Sequence, residues 1–208
     1  MAVILCYGDS NTHGTAPLER PGSHDRHPKG QRWVDVLAEG LGADHEVIAE
    51  GLPARTTVHD DPVEGGCRNG ALVLPAILHS HRPVDLLIVM LGTNDLKSRF
   101  SVTAWEIARS VERLVLMARA EDVVDRILVV APVPVRECGT LEAVFVGAEA
   151  RQQGLTELLR EMATRQGCGF FDAGAHAQVS PLDGVHMDAA GQMAIGRAMI
   201  PAVRDALA

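Results

Sequence analysis

Ala2-Val3-Ile4-Leu5-Cys6-Tyr7-Gly8-Asp9-Ser10-Asn11 decides the fold. Six apolar residues run without a polar break into a small, polar turn, Gly8-Asp9-Ser10. A continuous run of this length closed by a turn signal reads as a strand buried on both faces, and such strands belong to parallel sheets covered by helices on each side. Working outward, the same reading places strands at 46–49, 85–91, 126–131 and, more weakly, 169–172. The runs at 2–7, 85–91 and 126–131 carry no outward polar alternation, so both of their faces are expected to be buried.

Segments of helical period lie between these runs. Trp33, Val34, Leu37 and Leu41 recur at helical spacing, with Gly40 and Gly42 as a stop. Thr103 and Glu106 form a capping box ahead of an apolar stripe of Ile107, Val111, Leu114, Val115 and Ala118. Two further stripes are Leu155, Leu158, Leu159, Met162 and Ile195, Ala198, Met199, Ala202. Strands alternating with helices predict βαβ units in one α/β domain spanning 1–208. Two stretches, 12–30 and 132–147, read as long loops, which in a compact domain are functional or disordered. The apolar patch at 143–146 within the second is expected in the core, in a pocket wall or at a subunit contact.

Composition narrows the function. A chain of 208 residues buries roughly 70% of its unfolded surface, and with 47% hydrophobic residues but only seven aromatics its core must be aliphatic. The formal charge of -8 disfavours a phosphate backbone or an anionic membrane as partner. Cys6, Cys67, Cys138 and Cys168 are widely spaced and match neither a zinc motif nor a disulfide framework, so free thiols in a reducing compartment are expected. The histidines, among them His24, His27, His79 and His81, lack metal-ligand spacing with carboxylate or thiol partners. No metal and no cofactor is implied. The first apolar run is too short for a secretory core and nothing approaches a membrane span. A soluble, cytoplasmic protein is the expectation.

Chemistry gathers where strands end. In an open parallel sheet ligands bind beyond the carboxyl ends of the strands, where the strand order reverses. Ser10 follows the first strand, Gly51 the second and Asn94 the third, and with a strand order 2-1-3-4-5 those ends are adjacent. A serine hydroxyl needs a base, and that base needs an orienting group; Asp183-Gly184-Val185-His186 offers both. The expected triad is Ser10, His186 and Asp183. The expected oxyanion donors are the N–H groups of Ser10 and Gly51 and the amide of Asn94.

Gly8-Asp9-Ser10, Gly51, Gly92-x-Asn94-Asp95 and Asp183-x-x-His186 resemble, in order and spacing, the four motif blocks of the SGNH (GDSL-type) hydrolases. The strings Glu50-Gly51-Leu52-Pro53-Ala54-Arg55-Thr56-Thr57 and Met90-Leu91-Gly92-Thr93-Asn94-Asp95 are similar to the arylesterase and acyltransferase branch. The resemblance implies a flavodoxin-like three-layer α/β/α sandwich on a five-stranded parallel sheet of order 2-1-3-4-5, a metal-free Ser/His/Asp triad, and hydrolysis of small esters through an acyl-enzyme. It also implies acyl transfer to alcohols or peroxide in some members, and a homo-oligomer. The family motif usually continues with Leu after the serine, where this chain has Asn11. Asn11 and Thr93 are therefore expected to contact substrate, with Asn11 making the pocket more polar and favouring short acyl chains and acetylated sugars.

Each motif has a plainer reading. Asp9 or Ser10 can cap a helix, Gly51 can be a turn glycine, Asn94 can cap the next helix, and Asp183 and His186 can precede a helix capped by Asp188. Two non-catalytic alternatives share the fold: a phosphate- or nucleotide-binding module, and a pseudoenzyme that binds acyl-sugars. No GxxxxGK[ST] or GxGxxG loop supports the first, and no GxSxG elbow permits an α/β-hydrolase.

Overall fold

The computed structural model describes residues 1–20 and 22–208. Its five strands are β1 (Ala2–Gly8), β2 (His45–Gly51), β3 (Val84–Met90), β4 (Val124–Ala131) and β5 (Gly169–Asp172). They form one sheet in the order β2-β1-β3-β4-β5, with every pair parallel. This is the predicted order. The chain steps from β1 outward to β2 and then returns to β3 on the other side of β1, so the order reverses at the carboxyl end of β1.

Strand alternation sorts the core into two layers. Ile4 and Cys6 of β1 pack with Trp33, Val34 and Leu37 of α2 (Trp33–Leu41) and with Ile195, Met199 and Val203 of α7 (Ala189–Leu207). Leu5 and Tyr7 face the opposite layer. There they meet Leu74 and Leu78 of α3 (Gly70–His81), the Ile107-to-Ala118 stripe of α4 (Ala104–Ala120), and Leu155, Leu159 and Met162 of α6 (Leu155–Arg165). The capping box forms as read: Thr103 Oγ1 accepts from Glu106 N at 3.3 Å while Glu106 Oε2 accepts from Thr103 N at 2.8 Å. A cap of this kind stabilises a helix by about 1 kcal/mol. Two short helices complete the set, α1 (Ser10–His13) and α5 (Ala148–Arg151).

Helix α3 has no counterpart in the sequence reading. Its residues are apolar nearly all the way round, with Pro75 inside and Leu72 exposed, so no stripe of helical period marks it. Among the described residues no helix is long and apolar enough to cross a membrane.

The described residues of both long loops, 12–20 with 22–30 and 132–147, converge on the carboxyl edge; residue 21 lies outside the described residues. The first is pinched by a Thr15–Arg26 bridge and by Ala16 N donating to Asp25 O at 2.9 Å. The second contains a 3₁₀ segment at Gly139–Val144. Thr140 Oγ1 donates to Leu18 O at 2.8 Å and joins the two.

The turn after β1 is sterically exacting. Gly8 and Gly51 are register partners in the β1–β2 ladder, and α1 folds back over both. A Cβ on Gly8 would lie 2.0 Å from Thr12 Oγ1, and one on Gly51 would lie 2.2 Å from the backbone N of His13. The second clash is with main chain and no rotamer relieves it. Gly51→Ala is therefore expected to destabilise the fold by about 1–3 kcal/mol, read as a fall of several degrees in Tm, and to lower activity by displacing Ser10. An unchanged Tm with full activity would refute the close approach.

Candidate active site

Asp9 closes β1 and caps α1, its Oδ1 accepting from Asn11 N at 2.9 Å. The helix-cap reading of this turn is thus correct for Asp9, and it leaves Ser10 as the first helical residue. Ser10 Oγ lies 2.9 Å from His186 Nε2, and His186 Nδ1 lies 2.6 Å from Asp183 Oδ2. All three residues are buried. With its proton on Nδ1, donated to Asp183, the imidazole presents a lone pair at Nε2 to the serine hydroxyl.

Asp183 and His186 stand in the loop before α7, whose first turn is capped by Asp188, with Gly191 N donating to it at 2.8 Å. Gly184 has φ +75°, and a Cβ there would meet Arg136 O at 2.1 Å, so the loop closes tightly on the 132–147 segment. Asp183 is well supplied with donors: Val185 N and His186 N at 2.9 Å each to Oδ1, and Leu18 N at 2.8 Å to Oδ2. Burial works against its charge, but the hydrogen bonds and the neighbouring His186 outweigh it and hold the carboxyl below the usual range. Asp9, also fully buried, has fewer partners, and burial pushes it up to about 6 against its Asn11 bond and the nearby His186.

A network ties the ends of β1, β2 and β3 together. Arg55, nearly inaccessible, donates from Nη1 to Gly8 O at 2.9 Å and to Glu50 O, and its guanidinium lies 4.2 Å from the centroid of the Tyr7 ring. Its own carbonyl accepts from Asn94 Nδ2 at 3.1 Å, while the contact of that amide with Asp9 Oδ2 is a longer 3.4 Å. Asp95 accepts from Thr57 Oγ1 and from Thr57 N, fixing the segment after β2 against the end of β3. Burial raises Asp95 despite these bonds. Among the described residues no three His, Cys, Asp or Glu side chains gather as a group that could hold a metal ion.

Ser10, Asn94 and His186 open onto a cavity of about 390 Å³ at this edge. Leu18, Leu141, Val144, Phe145 and Val185 contribute apolar lining, and His13, Thr15, Glu64 and Lys97 contribute polar groups. The apolar patch at 143–146 divides accordingly: Val144 and Phe145 line the cavity and Val146 is exposed. A larger hollow of about 600 Å³ lies at the opposite edge, between the starts of β4 and β5, and contains none of these groups.

Three expected positions need correction. Leu52 N points at β1, donating to Gly8 O at 3.1 Å, so the N–H of Gly51, one residue earlier in the strand, points out of the other edge of β2. Gly51 does not line the cavity; its role is steric. Asn11 is buried outside the cavity, its side-chain amide donating to Val185 O at 3.2 Å and its backbone carbonyl accepting from Gln192 Nε2 at 3.0 Å. It braces the Ser10 turn against the His186 loop and does not line the cavity. Thr93 lines a separate small hollow with Leu96 and Pro132.

Two residues that the motifs do not mark stand close to the site. Ala54 lines the cavity with φ +67°. It is the third residue of a turn with Pro53 second and Arg55 N closing onto Leu52 O at 3.0 Å, the pattern of a type II turn, where glycine is usual. A non-glycine residue there costs about 1–2 kcal/mol, and such strain persists where surrounding structure enforces it. Its N–H donates to no acceptor among the described residues. Gln192, fully buried on the inner face of α7, accepts from Trp33 N at 3.0 Å and joins α2, α7 and the Ser10 turn.

The model of the GDSL-like lipase/acylhydrolase family matches residues 6–194. The chain belongs to this family. Its members cleave carboxylic esters, and this chain is a hydrolase of that class. Among solved structures, a carbohydrate acetylesterase family member from Sinorhizobium meliloti is 42% identical, with a TM-score of 0.93 over 100% of this chain and 99% of that one. The aryl esterase of M. smegmatis is 38% identical, with a TM-score of 0.92 over 99% and 100%. A second carbohydrate acetylesterase from Sinorhizobium meliloti is 36% identical, with a TM-score of 0.92 over 99% of each chain. No curated protein matches the sequence.

Because Asn11 faces away from the cavity, Asn11→Leu is expected to leave the ranking of acetyl, butyryl and sugar-acetate esters unchanged while moving Tm by about 1–3 °C in either direction. The carbonyl of Val185 loses a partner, and the unpartnered Asn11 Oδ1 is removed with it. A reversed ester ranking would return Asn11 to the substrate.

Proposed function

We propose that this hydrolase is a serine esterase of short-chain acyl esters, aryl and alkyl acetates and acetylated carbohydrates among them. The observation that carries the proposal is the unbroken hydrogen-bonded line from Ser10 Oγ through His186 to Asp183 at the floor of the cavity. His186 takes the serine proton as Oγ attacks the ester carbonyl and then delivers it to the departing alkoxide. Asp183 holds the imidazole in the Nδ1–H tautomer and stabilises the imidazolium between those steps. Water deprotonated by the same histidine then releases the acid. Transfer to an alcohol or peroxide follows the same path, with that nucleophile replacing water when water is excluded from the acyl-enzyme.

Three donors face the charge that develops on the carbonyl oxygen: the N–H of Ser10, the N–H of Ala54 in place of the one expected from Gly51, and the amide of Asn94. The strained Ala54 turn supports this assignment, since it leaves an N–H without an internal acceptor beside Ser10 and Asn94. The longer of the two Asn94 contacts, to Asp9, is the one its amide can give up to an oxyanion. The acyl group fits against the aliphatic lining, and cavity size favours small esters over long-chain lipids. The printed descriptions of the similar structures, carbohydrate acetylesterase and aryl esterase, agree with that preference.

With 4-nitrophenyl acetate, Ser10→Ala and His186→Ala are expected to lower kcat by about 10⁴-fold or more, and Asn94→Ala by about 100- to 1000-fold with little change in KM. Small and equal losses in all three would contradict these roles.

A further inference from the structure

The cavity carries a feature that ester cleavage itself does not use. Lys97 is a lining residue whose side chain is only 3% exposed, and its charge is paired with two carboxylates. Its Nζ lies 3.0 Å from Asp61 Oδ2 and 2.8 Å from Glu64 Oε1. Arg99 grips the same two carboxylates, Nε to Asp61 Oδ1 at 3.0 Å and Nη2 to Asp61 Oδ2 and Glu64 Oε1 at 2.9 and 3.0 Å. Two cations face two carboxylates, so the cluster is neutral as a whole. Burying such groups is costly unless each is paired, and here the pairing fixes Glu64 against the cavity at 36% exposure.

The bonding leaves two polar valences over. Both cations engage Glu64 through Oε1, and Oε2 accepts no hydrogen bond among the described residues. An ammonium has three protons, and Asp61 and Glu64 take two of those on Lys97. One acceptor valence on Glu64 and one donor valence on Lys97 are therefore left on two neighbouring lining residues, Lys97 nearly fully buried and Glu64 partly exposed, both held by ion pairs. A neutral cluster favours no charged ligand. Two neighbouring hydroxyls match it: one donates to the carboxylate oxygen while the other accepts from the ammonium, both in charge-assisted bonds. An acetyl group fills only a small part of 390 Å³, which leaves room for a ring-sized alcohol in the remainder.

We propose that Glu64 and Lys97, held by Asp61 and Arg99, form a subsite for a vicinal diol on the alcohol portion of the ester, so that monoacetylated sugars with free hydroxyls are preferred over simple acetates. The inference rests on the esterase reading above and adds to it the chemical class of the leaving alcohol. Glu64 does not touch the reacting atoms; it sets which alcohol is carried to them.

The test compares kcat/KM for a glucose monoacetate and for 4-nitrophenyl acetate, which deliver the same acetyl group, in wild type, Glu64→Gln and Glu64→Ala. Glu64→Gln keeps a carbonyl oxygen for Lys97 and Arg99 while turning the free acceptor into a donor, so it decides the matter if Glu64→Ala fails to fold. The expected result is a fall of at least about tenfold in the sugar-to-aryl ratio in both variants, appearing in KM for the sugar ester. A ratio unchanged from wild type, with both esters affected alike, would reduce Glu64 to a structural residue and overturn the subsite. A wild-type protein that cleaves the aryl ester but not the sugar monoacetate would overturn the subsite and leave the esterase standing. Cleavage of neither would remove both.

Discussion

The site depends on a steric constraint. For Ser10 to stand over the carboxyl edge of the sheet, the chain must turn back immediately after β1 and lay one helical turn across the ends of β1 and β2. That crossing is close enough to exclude a side chain from both members of the Gly8–Gly51 register pair. Glycine at these paired positions permits the approach, Asp9 caps the resulting turn, and Arg55 fastens the two strand ends from below through Gly8 O and Glu50 O. The placement of Ser10 is thus a packing result before it is a chemical one.

Electrostatics then separates three buried carboxylates that look alike in sequence. Asp183 gathers three backbone N–H groups and an imidazole, enough to overcome its burial and keep it ionised beside His186. Asp9 and Asp95 are raised by burial, and their bonds go to turns and to neighbouring loops. The contrast accounts for why one carboxylate can stabilise an imidazolium and the other two serve to brace the loops around it. One of the donors to Asp183 is Leu18, and Leu18 is in turn held by Thr140. The two long loops are therefore part of the site, each contributing both lining and support.

Much of this was legible in the sequence. Strands β1, β3 and β4 are continuous apolar runs because helices cover both faces, whereas the strand order came only with the family resemblance that the motif blocks carry. Ser10, Asn94, Asp183 and His186 were legible because their chemistry resides in side chains. Helix α3 was not, because a segment apolar on all sides, interrupted by Pro75, has no periodic stripe. Ala54 was hidden for a different reason: what it offers is a backbone N–H, and only the positive φ of its turn reveals which way that group points. Gly51 and Asn11 were misassigned by proximity. Neighbours of a functional residue along a strand or a helical turn face other directions, so one supplies clearance and the other a brace. A buried Gln192 on an otherwise apolar helix face was the one available sign of the cross-link to the Ser10 turn.

The most direct test of the central claim, that Ser10 is an activated nucleophile, is labelling of the whole protein with a fluorophosphonate followed by peptide mass spectrometry. The account predicts a single adduct, carried by the peptide containing Ser10 and abolished in His186→Ala, where the base is missing but the serine remains. No adduct, an adduct on another residue, or undiminished labelling in His186→Ala would contradict it.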